Sequence, residues 1–210
     1  MAGARVDLAT WHRAEHFRYF RTFDRPHFSL TSRVDVTQLM KAKADRDLSP
    51  FRACLWAIGA GIHAVPALCL RFDGDAVWSF PRIVLSPTIP MEDGRFGFGY
   101  FDWQPDFKGF DAEAEAIIAA VRSGQAFAPG DGSGLALAYM SCLPWIDFTS
   151  LDNALRSADD CIPRFGWGKI VPKGDGYDMA VGIQVHHALV EGADVGRFFN
   201  AMQDALNGFG

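Results

Sequence analysis

The feature that most constrains this chain is a run of eighteen residues without a charged side chain, from Ala53 to Leu70. Its length is borderline for a membrane span, which takes about 20 apolar residues. Gly59 and His63 lower its hydrophobicity, and Pro66 ends a helix early because proline lacks the amide proton that a continuing helix needs. The run therefore predicts a buried core helix from Pro50, a favoured first-turn residue, to about residue 64.

The chain of 210 residues is long enough to bury such a helix in its own core. Hydrophobic residues make up 49% and aromatic residues 13%, which argues against disorder for most of the sequence. The formal net charge is −5, and a mildly acidic surface disfavours binding to nucleic acids or to anionic membranes. No linker and no repeat of fixed period divides the sequence, so residues 1–210 are predicted to form a single domain.

Cysteine usage and the N-terminal segment favour a cytoplasmic protein. The four cysteines, Cys54, Cys69, Cys142 and Cys161, do not form the Cys-x-x-Cys pairs of a zinc finger or a thioredoxin-like site. Residues 1–17 carry several charges and lack the apolar segment of a signal peptide. Both observations are typical of a chain in a reducing compartment.

Alternation and helical periodicity predict strands and helices in mixed order. The predicted strands are 27–34, 68–72, 76–80, 83–89, 96–103, 136–142, 146–150, 165–171 and 177–186. The predicted helices are 38–46, 50–64, 111–124 and 193–206, with a short helix or turn at 11–20. Because strict βαβ alternation is missing, this order favours an α+β sandwich.

Two adjacent histidines, His186 and His187, end the last predicted strand, and Glu191 and Gly192 come shortly after. Neighbouring side chains of a continuing strand point to opposite faces, so the pair does not supply two ligands to one metal. A zinc hydrolase is also disfavoured because no His-Glu-x-x-His spacing occurs. A neutral imidazole near pH 7 can act as a general base. The alternative interpretation is a pair of hydrogen-bonded core or turn histidines.

Five segments carry a family resemblance. Residues 186–192 (HHALVEG) resemble the HHxxxDG active-site motif of the chloramphenicol acetyltransferase family, within the coenzyme A-dependent acyltransferases. Three further segments resemble motifs of the family and occur in the same order as in the family. They are residues 11–17 (WHRAEHF, family WxRxEHF), 28–37 (FSLTSRVDVT, family FSLTSxxDxT) and 141–145 (SCLPW, family SxLPW). Residues 165–169 (FGWGK) are similar to a string of plant acyltransferases in that superfamily. The resemblance covers essentially the whole chain and implies a two-layer α+β sandwich, a mixed sheet with helices on one face.

The resemblance also implies a mechanism without a metal. His187 would be the general base that takes the proton of a small-molecule hydroxyl, which attacks acetyl-CoA without a covalent acyl-enzyme. Ser141 would donate a hydrogen bond to the oxyanion. Arg13 and Glu191 stand where the family has an arginine–aspartate ion pair that holds the catalytic histidine, with glutamate replacing the aspartate.

An aromatic acceptor pocket and a tunnel for the pantetheine arm are implied as well. The pocket is expected to contain Tyr19, Phe20, Phe96 and Phe127, and the tunnel to run beside Trp145 and Lys169. Asp24, Pro26 and Gly166 differ from the drug-modifying members, in which a threonine stands at the position of Gly166. The acceptor is therefore expected to be chloramphenicol or a similar hydroxylated molecule.

The resemblance implies a homotrimer with its sites at the subunit interfaces, where His187 comes from one subunit and much of the acceptor pocket from the next. Two alternatives stay open: a related acyltransferase with a different acceptor or acyl group, and a catalytically idle binding protein on the same scaffold. A dihydrolipoyl acyltransferase core is a poorer match, because no lipoyl or subunit-binding segment precedes the domain. Whether antibiotic resistance is the biological role also stays open.

Overall fold

A computed structural model describes residues 3–46, 48–124 and 134–210 and arranges them as strands and helices in mixed order. The strands are β1 (Ala4–Arg5), β2 (His27–Asp35), β3 (Leu70–Asp73), β4 (Ala76–Ser79), β5 (Val84–Pro90), β6 (Phe96–Phe98), β7 (Phe101–Asp102), β8 (Leu137–Cys142), β9 (Arg164–Lys173) and β10 (Gly176–His186). The helices are α1 (Ala14–Phe20), α2 (Thr37–Arg46), α3 (Pro50–His63), α4 (Phe107–Arg122) and α5 (Gly192–Asn207), and a 3₁₀ turn spans Pro66–Cys69.

The uncharged run folds into the predicted core helix, α3. Ser49 caps the helix by accepting a hydrogen bond from the Arg52 amide at 3.4 Å, and Pro50 occupies the first turn. The helix ends at His63, ahead of Pro66, and more than half of its residues are buried. Among the residues that the structure describes, no helix has the length and apolar character needed to cross a membrane.

A mixed seven-stranded sheet forms the second layer. Its order is β2-β10-β9-β8-β5-β6, with β7 also paired to β5, and β8 runs parallel to both β5 and β9. Strands β1, β4 and β3 form a small separate sheet. Helix α5 packs on α3 and β2, while α4 packs on β5. A side chain at Gly61 of α3 would start 2.7 Å from the ring of Phe198 on α5, so the missing side chain lets these helices approach closely. The predicted α+β class with a mixed sheet is confirmed.

The last strand, β10, is buried on both faces. Leu151 lies against Gly182, where an added Cβ would be 3.1 Å from the Cβ of Leu151. Gln184 is also buried, and its side-chain oxygen accepts a hydrogen bond from the Asn153 amide at 3.0 Å. A segment distant in the sequence therefore covers the face of β10 that carries Gly182 and Gln184.

Two strand predictions are wrong. Residues 96–103 form β6 and β7 rather than one strand. The Gly99 amide bonds the Pro87 carbonyl at 3.1 Å in register with the pairs on either side, but Pro87 has no amide proton to return the bond, so the ladder is interrupted there. Residues 146–150 form no strand. The Ile146 amide instead closes a turn on the Leu143 carbonyl at 3.1 Å, and this turn contains a proline.

Helix α4 begins at Phe107, four residues before the predicted start at Asp111. Asp106 caps it by accepting a hydrogen bond from the Gly109 amide at 2.9 Å. This capping carboxylate stabilises a first turn that contains a glycine, the least helix-favouring residue after proline.

Candidate active site

The first histidine of the pair, His186, is a buried structural residue with 2% of its surface exposed. Its Nδ1 accepts a hydrogen bond from the Ala188 amide at 3.1 Å, so the proton of the neutral ring lies on Nε2. Nε2 donates to the Ala158 carbonyl at 3.0 Å. Burial, aided by the adjacent His27, lowers the pKa of His186 to about 4. His186 is therefore the hydrogen-bonded core histidine that the sequence analysis gave as the alternative to a general base.

The second histidine, His187, is half-buried and is held by ring contacts. Its amide donates to the Pro26 carbonyl at 2.8 Å, directly beyond the end of β10. Its ring stacks on Phe20, with centroids 3.9 Å apart and planes inclined by 6°, and lies 4.7 Å from the ring of Phe28. Nδ1 is buried without a hydrogen-bond partner among the described residues. Nε2 is therefore the ring nitrogen that can face a ligand.

Arg13 lies just before α1 and is 8% exposed. Its Nη2 lies 3.2 Å from Oε1 of Glu191, the predicted partner, but without hydrogen-bond geometry. Its Nη1 donates a hydrogen bond of 2.9 Å to Oδ2 of Asp194. The structure thus brings Arg13 and Glu191 together and adds a second carboxylate to the pair.

Sequence reasoning missed Asp194, which is 4% exposed and lies in the first turn of α5. Besides Arg13, it accepts hydrogen bonds from the Glu191 amide at 2.9 Å and from the Arg197 guanidinium. A signal was available, because an acidic residue three positions after the helix N-cap is typical of a capping box. This pattern does not reveal the contact with Arg13, 181 residues away in the sequence.

An aromatic cluster of Tyr19, Phe20 and Phe23 lies beside His187. Tyr19 and Phe20 were both predicted site residues, and their ring centroids are 5.2 Å apart. Phe23, which sequence reasoning missed, lies 5.1 Å from Tyr19 and 5.3 Å from Phe20. Tyr19 is 61% exposed and Phe23 39%, so the cluster leaves apolar surface open next to the imidazole.

Ser141 lies elsewhere, on β8, where it lines a cavity of about 710 Å³. The predicted residues Phe96 and Trp145 line the same cavity and are 54% and 72% exposed. Its volume falls in the range of small-molecule sites, about 300–1,000 Å³. The cavity therefore gathers one predicted catalytic residue, one predicted pocket residue and one predicted tunnel residue.

Lys169, a predicted tunnel residue, is exposed and does not line this cavity, although Gly168 and Ile170 on either side of it do. Phe127 lies outside the described residues.

Cys142 comes directly after Ser141 and also lines the cavity. Burial raises the pKa of the Cys142 thiol to about 12, and it raises the pKa of Cys54, another lining residue, as well. A thiol is a weak nucleophile, because the reactive species is the thiolate. Neither cysteine is therefore suited to form a covalent acyl intermediate near neutral pH.

Leu151 occupies the space beside Gly166 that a larger residue would fill. A Cβ added to Gly166 would be 2.2 Å from Cδ2 of Leu151 and 3.5 Å from the carbonyl oxygen of Ser141. A threonine at this position would therefore require the end of the Leu151 side chain to move. The glycine and the leucine form a matched apolar pair next to Ser141.

His187 and Ser141 do not meet within one chain. Ser141 is opposite Gly166 on β9, and Gly166 is opposite Gly182 on β10. His187 lies five residues beyond Gly182, which corresponds to about 17 Å along the strand at about 3.4 Å per residue. The predicted site is therefore divided into two halves, one around His187 and one around the cavity.

The described residues contain no group of three or more histidine, cysteine, aspartate or glutamate side chains that could hold a metal ion. The two adjacent histidines make separate contacts, with the Ala158 carbonyl on one side and the Phe20 ring on the other.

Comparison with known proteins identifies the family. The family model described as Chloramphenicol acetyltransferase matches residues 1–203. This chain belongs to the chloramphenicol acetyltransferase family. It is 27% identical over 202 residues to Chloramphenicol acetyltransferase 2 of Haemophilus influenzae, covering 95% of this chain and 94% of that protein. It is 28% identical over 207 residues to Chloramphenicol acetyltransferase of Streptomyces acrimycini, covering 97% of this chain and 94% of that protein.

Solved structures agree with the family assignment. A structure described as chloramphenicol acetyltransferase has a TM-score of 0.90 at 27% identity, covering 98% of this chain and 100% of that chain. A probable dihydrolipoamide acetyltransferase from Listeria monocytogenes, with a TM-score of 0.68 at 15% identity, covers 100% of this chain and 95% of that chain and shares the fold alone. Membership of the chloramphenicol acetyltransferase family confirms the resemblance found in the sequence, and it makes this protein an acyltransferase.

Proposed function

We propose that this acyltransferase moves an acetyl group from acetyl-CoA to a hydroxyl of chloramphenicol or of a similar small molecule. The observation that carries the proposal is the stacking of His187 on Phe20, which fixes the ring plane and leaves Nε2 to face a ligand. The curated relatives named chloramphenicol acetyltransferase support the choice of reaction.

In this proposal His187 is the general base. Nε2 takes the proton from the acceptor hydroxyl while the hydroxyl oxygen attacks the carbonyl carbon of the thioester. The tetrahedral intermediate then expels the coenzyme A sulfur, which takes the proton back from His187, so the imidazole ends neutral. A positioned base of this kind contributes about 10²–10⁴-fold, because a neutral alcohol is a poor nucleophile.

Ser141 is proposed to donate a hydrogen bond to the oxyanion of that intermediate. Its place on the cavity wall supports this role, and losing one such donor costs about 3 kcal/mol in the barrier. The raised pKa of the neighbouring Cys142 supports direct attack by the acceptor over a covalent acyl-enzyme.

The two halves of the site are proposed to meet across a subunit interface. The proton and the oxyanion of one reacting centre lie only a few ångströms apart, whereas His187 and Ser141 of one chain are separated by about 17 Å along the strand. Exposed aromatic side chains at both halves support an interface, since contiguous apolar surface marks contact sites. They are Tyr19 and Phe23 beside His187, and Phe96 and Trp145 beside the cavity.

We expect the assembly to be a homotrimer with three equivalent sites. A mass measurement in solution, by light scattering on purified protein, tests this expectation. A trimer supports the shared site, and a monomer that turns over substrate contradicts it.

The cavity beside Ser141 is proposed to take part of acetyl-CoA. Its walls include Phe51, Trp145 and Trp167, which suit the pantetheine arm, and Arg52, Arg95 and Arg122 also line it. Guanidinium groups complement phosphates. Trp145 is proposed to contact the coenzyme and Lys169 to lie close to it.

A related acyltransferase with another acceptor is the second candidate, favoured by one observation. Leu151 fills the space next to Ser141 and beside Gly166, at whose position the drug-modifying members carry a threonine, so apolar atoms replace a hydroxyl near the proposed oxyanion. This change close to the reacting centre favours an acceptor other than chloramphenicol.

Release of free thiol from acetyl-CoA tests both candidates, with chloramphenicol and a panel of other alcohols and amines as acceptors. We expect thiol release with at least one alcohol and its loss in His187→Ala. His12→Ala, which changes an exposed histidine, is the matched control. Absence of thiol release with every acceptor, or equal rates for His187→Ala and the wild type, would contradict the proposal. Turnover of another alcohol but not chloramphenicol would select the second candidate.

A further inference from the structure

We propose that Asp194, rather than Glu191, is the carboxylate through which Arg13 positions His187; the kinetic part of this inference rests on the proposed function. The resemblance assigns the role to position 191, where the family's aspartate is replaced by glutamate. The contacts of the two carboxylates differ in kind, and they favour Asp194 as the positioning residue.

The side chain of Asp194 is 6% exposed and receives hydrogen bonds from three donors. They are Arg13 Nη1, the Glu191 amide and the Arg197 guanidinium. Charge-assisted hydrogen bonds in a buried environment are strong and directional. Asp194 therefore fixes Arg13 in position and orientation.

The side chain of Glu191 is 43% exposed, and its 3.2 Å contact with Arg13 Nη2 lacks hydrogen-bond geometry. An ion pair whose carboxylate is open to water contributes little, because water screens that charge and the glutamate side chain loses conformational freedom. Glu191 therefore adds charge near Arg13 without fixing it.

Asp194 also connects the two segments that hold the imidazole. Arg13 immediately precedes α1, and Phe20, the last residue of that helix, stacks on His187. The Glu191 amide, which bonds Asp194, ends the turn that begins at His187. One carboxylate thus binds the start of the helix that carries the stacking ring and the end of the turn that carries the histidine.

Removal of the Asp194 carboxylate should therefore disturb both segments. Arg13 would lose its only hydrogen-bonded side-chain partner among the described residues, and the helix start and the turn end would no longer share an anchor. A shift of α1 moves Phe20, and with it the plane of the His187 ring. The effect reaches the reacting atoms through the imidazole, so it should lower kcat more than it changes substrate binding.

Asp194→Asn and Glu191→Gln are matched variants, since each replaces a carboxylate by an amide of the same shape. Kinetics with acetyl-CoA and an acceptor that the wild type turns over should show kcat lowered by about 30-fold or more for D194N, with KM within about threefold. E191Q should keep both constants within about threefold of the wild type. A larger loss of kcat for E191Q than for D194N, or an unchanged kcat for D194N, overturns the inference.

Nuclear magnetic resonance of the His187 ring gives a readout that does not need turnover. The ring-proton signals, assigned by their absence in H187A, should shift in D194N because the ring moves relative to Phe20, and should stay in place in E191Q. The opposite pattern overturns the inference. If the wild type releases no thiol, the proposed function is contradicted. The comparison of the His187 signals in D194N and E191Q still tests the inference in that case.

D194N loses a buried charged acceptor, so its folding is checked by thermal melting before the kinetics. If D194N does not fold, the E191Q variant alone tests the inference. The side chain at position 191 is exposed, so we expect E191Q to keep the fold. Retention of kcat and of the His187 signals then supports a minor role for Glu191, as inferred. A kcat reduced by about 30-fold or more in folded E191Q overturns the inference.

Discussion

His186 and His187 are adjacent in the sequence but differ in almost every physical respect. Both ring nitrogens of His186 are hydrogen-bonded, its tautomer is fixed, and burial lowers its pKa to about 4. His187 is half-buried, its ring plane is fixed by stacking on Phe20, and its Nδ1 lacks a hydrogen-bond partner among the described residues. Hydrogen bonds hold a histidine by occupying its nitrogens, whereas stacking holds the ring and leaves a nitrogen available for chemistry.

The unpartnered Nδ1 of His187 lowers stability. A buried nitrogen without a partner costs about 1–3 kcal/mol relative to a hydrogen-bonded one. Such a cost is retained where the ring has another use, and in our proposal Nε2 of the same ring transfers the proton. The comparison therefore assigns a structural role to His186 and the role of proton acceptor to His187. Substitutions at and around the two rings test this assignment.

His187→Ala should have the largest effect. We expect kcat to fall by about 10²–10⁴-fold, since this is the contribution of a positioned general base. Steady-state rates with acetyl-CoA measure it, and thermal melting shows whether the variant stays folded. A folded H187A with more than about a tenth of the wild-type kcat would contradict the assignment of chemistry to His187.

Ser141→Ala should come next, with kcat lowered by about 10²–10³-fold through loss of an oxyanion donor. The cavity keeps its shape, so KM for acetyl-CoA should stay close to that of the wild type. Cys142→Ala, which changes the neighbouring cavity residue, is the control and should leave kcat nearly unchanged. Equal losses in the two variants would point to cavity packing instead of oxyanion stabilisation.

The lowered pKa of His186 predicts a pH-dependent stability. An unfolded histidine takes up a proton near pH 6.5, whereas folded His186 resists protonation down to about pH 4. Stability is thus fully present above about pH 6.5 and falls by up to about 3 kcal/mol as the pH drops towards 4. Urea denaturation at pH 7 and at pH 4.5 measures the fall, and His186→Gln should reduce it. A wild type and an H186Q variant with the same pH dependence would contradict a neutral, buried His186.

The smallest effect is expected from the stacking contact itself. Phe20→Leu should lower kcat by about 2–10-fold, because an aromatic pair contributes about 0.5–1.5 kcal/mol beyond its burial. Phe23→Leu is the matched control, since Phe23 belongs to the same cluster and contacts Phe20 rather than the imidazole. If both variants lose activity equally, the cluster acts by its apolar surface and not by orienting His187.

Local signals in the sequence were sufficient for much of the fold. The core helix is predicted by Pro50 and Pro66 at its two ends, and the last strand by its alternation up to His186. Burial of both faces of that strand could not be predicted, because it depends on Leu151, which no local pattern places there. The early start of α4 was predictable, since the capping residue Asp106 is visible in the sequence.

The motif in the sequence identified residues of the candidate site, but it did not predict how they are arranged in space. The HHxxxDG-like segment pointed to His187 and to the charge at Glu191. The stacking on Phe20 requires α1 to lie beside the end of β10, and the bond between Arg13 and Asp194 joins residues 181 positions apart. A contact between two segments so far apart in the sequence leaves no recognisable pattern in either segment, so it could not be predicted.

The most direct test of the shared site is the activity of mixed trimers. Coexpression of H187A and S141A chains gives assemblies in which one interface unites an intact His187 with an intact Ser141. We predict activity in the mixed trimers from up to roughly a third of the sites, although each variant alone keeps only about 1% of the wild-type kcat or less. Mixed trimers as inactive as the separate variants would contradict a site built from His187 of one subunit and Ser141 of the next.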